Sequence, residues 1–114
     1  MEAKAVFDDT YKLLNSIGAV ASKKEFYKDW LNRSDSYFRC LRFKNKQPST
    51  QTLALCSSKL KHYSIVLTQK TDDDSKQLAN NFATLANKFD AIIYTTSKAK
   101  WMDLMEDNAS ETIH

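Results

Sequence analysis

The scarcity of glycine and proline is the feature that most constrains what this chain can fold into. One Gly and one Pro occur among 114 residues, whereas average usage is roughly 7% and 5%. Sheet proteins need many tight turns, and tight turns draw on these two residue types. The sequence therefore predicts an all-α domain and argues against a β-sandwich, an α/β barrel or a disordered chain. Because Gly18 is the only glycine, a glycine-rich phosphate-binding loop is excluded.

Length and apolar content fit one small domain with its own core. Of the 114 residues, 42% are hydrophobic. No apolar run approaches the roughly 18 residues of a membrane-spanning helix, and residues 1–5 lack the pattern of a signal peptide. Two cysteines, Cys40 and Cys56, are too few for a disulfide framework. We expect a cytoplasmic protein with no membrane partner, nucleoid-associated if the source is a bacterium or phage.

Positive charge is concentrated in the middle of the chain. Residues 22–62 hold ten Lys and Arg against three acidic residues, a net charge of +7, and the remainder holds seven basic and eleven acidic residues, a net charge of −4. A basic segment between acidic flanks is typical of a surface that binds polyanions. A solvated lysine-rich surface has the same composition, so charge alone leaves both interpretations open.

Capping residues delimit the first two predicted helices. Apolar residues at helical spacing predict a helix over residues 5–17, and Gly18 follows where a helix commonly ends in the left-handed conformation. Ser22 and Glu25 form a capping-box pattern at the start of the second helix. That helix is expected to stop near Asn32, because asparagine tolerates the left-handed conformation.

Two further short helices are predicted before the middle of the chain. Ser34 precedes the third helix, which must end before Pro48. Ser49 or Thr50 caps a fourth helix, in which leucines recur at helical spacing.

The second half of the chain carries a longer apolar seam. Residues 63–70 and 91–96 have strand propensity, and the pattern alone leaves helix and strand open for both. Between them, apolar residues step by four and three positions, which is the spacing of a helix that pairs with another helix. The seam consists of Leu78, Phe82, Leu85, Phe89 and Ile92, and Trp101, Met102, Leu104 and Met105 indicate a final amphipathic helix.

An ordered set of residues spans the second, third and fourth predicted helices. Its members are Leu31, Ser34, Phe38, Leu41, Pro48, Ser49, Leu53 and Leu60. This set resembles the lambda-repressor-like (Cro/CI-type, XRE-type) DNA-binding domains, which read Leu-Gly-x-Ser, a helix with two apolar positions three apart, a basic loop, Pro-Ser and a leucine-rich helix. The resemblance covers roughly half of the chain and implies a helix-turn-helix fold.

Three positions depart from that family pattern. Asn32 stands where the turn glycine is usual, Lys28 where a small residue is usual, and Arg33 where an aliphatic residue is usual. A lysine at position 28 cannot pack between two helices without extending to solvent. The second helix is therefore expected in a shifted register, with Phe26 and Trp30 packing against the rest of the domain.

A helix-turn-helix motif has two helices, and here they are the second and third predicted helices. The latter enters the major groove, and residues near its N-terminus reach the base edges. Arg39 is suited to bind guanine O6 and N7 with two hydrogen bonds, and Asp35 either accepts from cytosine N4 or restrains an arginine. Lysines and arginines around this helix are placed for phosphate contacts. The predicted DNA-binding residues are Lys23, Lys24, Arg33, Ser34, Asp35, Ser36, Arg39, Arg42, Lys44 and Lys46.

The sequence thus predicts a helix-turn-helix domain of four to five short helices over residues 1–62 and a longer helical dimerisation element over residues 63–107. Residues 108–114 are expected to form a disordered tail. The expected function is sequence-specific binding of double-stranded DNA by a small homodimeric transcriptional repressor or regulator that reads the groove with helix 34–44. The five-residue seam is the expected dimer contact, and its packing on its own domain is the alternative.

A second functional class stays open. A helix-turn-helix-shaped module that binds another protein is favoured by the departures at Lys28 and Arg33 and opposed by the basic block. No Ser/His/Asp or Cys/His pattern predicts an enzyme, and neither a cofactor nor a small-molecule substrate is evident. His62 and Cys56 lack the spacing of metal ligands, so no metal site is expected.

Overall fold

Five α-helices form the protein in the computed structural model, which describes the backbone of residues 2–112 and the side chains of residues 3–107. They are α1 (Glu2–Ser16), α2 (Lys23–Leu31), α3 (Asp35–Lys44), α4 (Thr50–Thr68) and α5 (Asp73–Thr112). No β-strand occurs within residues 2–112, which confirms the all-α prediction. None of the helices described there is apolar over a length that would cross a membrane.

The end of α1 is set by its glycine, as predicted. Gly18 has a φ of 77°, which L-residues with a side chain rarely adopt. The Ala19 N–H donates to the Leu14 carbonyl at 2.8 Å, and the Gly18 N–H donates to the Asn15 carbonyl at 3.1 Å. This pair of hydrogen bonds is the Schellman motif, which satisfies carbonyls that the helix end leaves without partners.

Serine and asparagine delimit α2 in the predicted way. The Ser22 hydroxyl accepts from the Glu25 N–H at 3.2 Å, and the Glu25 carboxylate accepts from the Ala21 N–H at 3.2 Å. Asn32 ends the helix with a φ of 53°, because asparagine tolerates the left-handed conformation better than most residues.

The end of α3 and the start of α4 are also set by capping residues. Asn45 ends α3 with a φ of 51°, before Pro48 as expected. The Ser49 hydroxyl caps α4 by accepting from the Thr52 N–H at 3.2 Å. Short-range hydrogen bonds therefore explain these boundaries.

The core lies where α4 and the first half of α5 form a hairpin against α1 and α2. Phe7 of α1 is at its centre: its ring centroid lies 5.1 Å from Phe89 of α5, 5.7 Å from Phe38 of α3 and 6.4 Å from Phe26 of α2. Phe26 and Trp30 are buried while Lys28 is exposed. The predicted packing of Phe26 and Trp30 is confirmed, and the shift relative to the family pattern stays a prediction.

The apolar seam packs against other helices of the same chain. Phe82, Leu85, Phe89 and Ile92 are all buried and Leu78 is partly buried, in contact with the common core. These side chains therefore do not form an exposed seam for a second copy, which corrects the expected dimer contact. The physical reason is that α4 turns back on α5 through a short connection and covers the seam itself.

The segments left open between helix and strand are helical, apart from residues 69–70, which lie in the turn after α4. Residues 63–68 belong to α4 and residues 91–96 to α5. A strand would need a partner strand for its backbone N–H and C=O groups, and none occurs within residues 2–112. A helix satisfies these groups within the segment itself. The domain boundary predicted between residues 62 and 63 falls inside α4. In the predicted tail, residues 108–112 continue α5 as helix, and residues 113–114 lie outside the described residues.

A polar clamp joins α4 to α5 beside the core. The buried Ser57 hydroxyl donates to Asp90 Oδ1 at 2.6 Å, and the Lys61 ammonium pairs with Asp90 Oδ2. Burial raises the pKa of the Asp90 carboxyl, but the hydrogen bonds from Lys61 and Ser57 and the Lys61 charge outweigh it and hold that pKa below its ordinary value.

The seam's burial predicts that Phe82→Asp or Phe89→Asp unfolds the protein rather than producing a folded monomer. A charge placed in the core costs several kcal/mol, most of the stability of a domain of this size. Circular dichroism with urea titration measures this, and Asn87→Asp on the exposed side of α5 is the control. A Phe89→Asp variant that stays as stable as the control would contradict this account.

The Asp90 clamp predicts an acid-dependent loss of stability. Because its pKa is lowered in the folded state, the carboxylate contributes stability above the unfolded pKa of about 4, and this contribution is lost as the pH falls through the lower folded value. Asp90→Ala is expected to lower the free energy of unfolding by about 1 kcal/mol at pH 7 and by less at about pH 2 to 3. Equal losses at both pH values, in urea titrations, would refute the ionic contribution.

Candidate nucleic-acid interface

One side of α3 packs against the core, and the other side is exposed. Phe38 is its only buried residue among those described, and its ring stacks on Tyr27 of α2 at 4.2 Å. Tyr37 and Leu41 are partly buried beside it. The opposite face is a continuous shallow surface lined by Ser36, Arg39, Cys40, Phe43 and Lys44. We call these five residues the α3 face.

Phe43 is the most unusual member of the α3 face. Its side chain is 90% exposed. It lies in the last turn of α3, between Arg42 and Lys44. A single exposed apolar residue is common on protein surfaces, but aromatic residues such as Phe are enriched in protein–protein interfaces.

The basic residues of α2 lie next to α3. Lys23 and Arg42 line one depression together with Tyr27 and Phe38. Lys24 and Lys28 line another with Ser34 and Asp35, at the start of α3. The Lys23 ammonium also lies 5.9 Å from the centre of the Tyr11 ring. The structure thus brings the predicted residues of α2 and α3 onto adjoining surfaces.

Arg39 and Asp35 form an ion pair along α3. Arg39 Nε lies 3.6 Å from Asp35 Oδ2, and both side chains are largely exposed. Of the two roles considered for Asp35, the restraint of an arginine is the one this contact matches. An exposed pair of this kind contributes little stability, so Arg39 can exchange Asp35 for another partner at small cost.

Arg33 is partly buried and is held by contacts with the start of α4. Its Nε donates to the Thr52 hydroxyl at 3.1 Å, and its terminal nitrogen donates to the Ser49 hydroxyl at 3.3 Å. The guanidinium lies 4.3 Å from the centre of the Tyr37 ring, and the Tyr37 hydroxyl accepts from the Ser49 N–H at 3.0 Å. These contacts tie the turn before α3 to the start of α4. Arg33 thus supports the fold, and its place among the DNA contacts stays a prediction.

The remaining predicted residues lie at the two ends of α3. Ser34 and Ser36 contact each other through their hydroxyls at 2.9 Å, and Ser34 precedes α3 without a side-chain capping bond. Lys44 and Lys46 are both exposed at the other end, on either side of Asn45.

Two side chains of this surface were missed by the sequence interpretation. The sequence interpretation treats Lys28 only as a departure from the family pattern, although its spacing of four from Lys24 places both on one side of α2 and is a usable signal. Phe43 is not among the predicted DNA-binding residues. Nothing in the local pattern distinguishes an exposed phenylalanine from a buried one, because Phe38 and Leu41 already account for the apolar side of α3.

Fold and surface together define a small all-helical protein that presents an exposed, largely basic surface on its second and third helices. The chain belongs to DUF6626, a family of unknown function, whose model matches residues 7–102. This range includes α2, α3 and α4 in full. No curated protein and no solved structure matches the chain.

The contacts of Arg33 predict that it stabilises the fold, in contrast to Arg39. Arg33→Ala removes two charge-assisted hydrogen bonds and a contact with an aromatic ring, and is expected to lower the free energy of unfolding by about 2 kcal/mol. Arg39→Ala, the matched control, is expected to change it by less than about 0.5 kcal/mol. Urea unfolding of both variants checks this, and equal effects would contradict the assignment of Arg33 to the scaffold.

Proposed function

We propose that the protein binds double-stranded DNA sequence-specifically, as a small homodimeric transcriptional regulator or repressor, with α3 as the helix that enters the major groove. The observation that carries this proposal is the α3 face: one side of a short helix, fully accessible, with Arg39 and Lys44 on it and the lysines of α2 beside it. A major groove about 12 Å wide admits one α-helix.

The connection between α2 and α3 supports the helix-turn-helix interpretation. Only residues 32–34 separate the two helices, and turns of three to four residues are usual in this motif. Arg33 and Tyr37 anchor that turn to the start of α4. This anchoring supplies a rigid base from which an exposed helix presents side chains with defined geometry.

Different residues of the surface have different proposed roles. Arg39 reads a guanine with two hydrogen bonds, and Phe43 contacts the methyl group of a thymine. Lysines and one arginine around the surface bind phosphates and set the orientation of the protein on the duplex without reading its sequence. These phosphate-binding residues are Lys23, Lys24, Lys28, Arg42, Lys44 and Lys46.

A second candidate is favoured by one observation, the 90% exposure of Phe43. Exposed aromatic and arginine residues are also the groups that dominate protein–protein interfaces. On this candidate the α3 face binds another protein and the surrounding lysines orient it. Salt dependence separates the two candidates, because phosphate contacts release counterions and cause affinity to fall steeply with salt.

The primary experiment selects bound sequences from a random duplex library of about 30 base pairs at about 150 mM salt. With the enriched sequence, Arg39→Ala is expected to weaken binding about tenfold or more while leaving random DNA nearly unaffected. Lys46→Ala is expected to weaken both DNAs equally and to lower the salt slope by about 1. Lys88→Ala on the exposed part of α5 is the control.

The outcomes separate the alternatives. Enrichment of a pseudo-palindrome supports a dimeric reader, and a single asymmetric site retains DNA binding but removes the dimer. Absence of any salt-dependent DNA binding refutes the proposal and leaves the protein-interaction candidate. Equal losses for Arg39→Ala on selected and random DNA remove its role in reading bases.

The two cysteines provide an independent test of the groove placement. Cys40 is exposed on the α3 face and Cys56 is buried, and burial raises the pKa of the Cys56 thiol. Alkylation is therefore expected at Cys40 alone in the folded protein. Specific DNA is expected to slow this reaction in proportion to the bound fraction. Unchanged alkylation of Cys40 in a saturated complex would show that α3 is not in the groove.

A further inference from the structure

The two halves of α5 have different surroundings. From Ala79 to Ile92, one side of the helix is buried in the core. From Tyr94 to Asp107, every side chain is exposed. The reason is a difference in length, because α4 has 19 residues and α5 has 40. At the same rise per residue, an antiparallel α4 reaches only to about the middle of α5.

The exposed half carries an apolar stripe on which, among the residues that the structure describes, only the Lys98 ammonium is placed, 5.8 Å from the centre of the Tyr94 ring. Tyr94, Trp101 and Met105 are separated by seven and four positions, so they lie on one side of the helix. Their exposed fractions are 66%, 50% and 60%. Met102 and Leu104 flank them and are also exposed. We call these five residues the α5 stripe.

Charge along this half of the helix changes sign. Lys98 and Lys100 precede Asp103, Glu106 and Asp107. If two such helices lie side by side in parallel, like charges meet. If they lie antiparallel, the basic part of each meets the acidic part of the other. Parallel and antiparallel pairs of identical helices are both two-fold symmetric, so it is the charge pattern that favours the antiparallel pair.

We propose that the α5 stripe is covered by the α5 stripe of a second copy of this chain, in antiparallel orientation. Five large side chains, each about half exposed, offer on the order of 500 Å² per copy, so that a pair buries on the order of 1,000 Å², about the least expected of a biological interface and typical of a weak dimer. The buried seam of Phe82 and Phe89 takes no part. The dimer is a property of the protein alone and does not depend on DNA binding.

The first test is the mass in solution of the full chain, measured by sedimentation equilibrium over about 1 to 100 µM. The wild type is expected to form dimers within this range. Trp101→Asp and Met105→Asp place a charge in the interface and are each expected to raise the dimer Kd about tenfold or more. Ala99→Asp, on the opposite side of the same helical segment, is the matched control and is expected to dimerise normally.

Circular dichroism and urea unfolding at low concentration check that the stripe variants retain the folded core, which lies in the other half of α5. A wild type that stays monomeric at about 100 µM overturns the proposal. A Trp101→Asp variant that dimerises as well as Ala99→Asp overturns it too, since the contact then lies elsewhere.

A second test addresses the antiparallel charge arrangement. One variant carries Lys98→Glu with Lys100→Glu, and another carries Asp103→Lys with Glu106→Lys. On the exposed half of α5 the first variant then carries only acidic residues and the second carries four lysines against Asp107, and each alone is expected to dimerise about tenfold or more weakly than the wild type at low salt. Mixing the two is expected to restore dimers as a heterodimer. Variants that each dimerise as well as the wild type contradict the antiparallel pairing.

Discussion

The packing of Phe7 against rings from three other helices is the interaction on which the rest of the structure depends. Phe26, Phe38 and Phe89 all contact it, so that one side chain of α1 joins α2, α3 and α5. Aromatic rings that meet edge to face combine a large buried area with a preferred geometry. The position of α3 follows from this cluster, because Phe38 is its buried anchor.

A short helix with one buried anchor leaves most of its surface to solvent, and this explains how α3 presents its face. Such a helix needs a second constraint if its side chains are to keep a defined geometry. Arg33 provides it, since its guanidinium lies against Tyr37 and donates to Ser49 and Thr52. One of the three residues that depart from the resembled pattern is thus part of the support for the proposed DNA-binding helix.

The length difference between α4 and α5 separates the molecule into a packed body and a projecting helix, and the chain extends 64 Å along its longest axis. Apolar residues on the first half of α5 are buried in the packed body. Those on the second half have no partner within the described chain. A proposed nucleic-acid surface and a proposed dimer surface therefore use different elements, α3 and the end of α5, and each can be altered without the other.

The sequence by itself determined the helix boundaries around Gly18, Ser22, Asn32 and Ser49, because caps depend on residues within five positions of each other. It also determined the all-α class and the burial of Phe26 and Trp30. Only the tertiary structure decided what the apolar seam packs against, since a helical spacing identifies an apolar side but not the molecule that covers it. The same holds for Arg33 and Phe43, whose burial or exposure is set by residues distant in the chain.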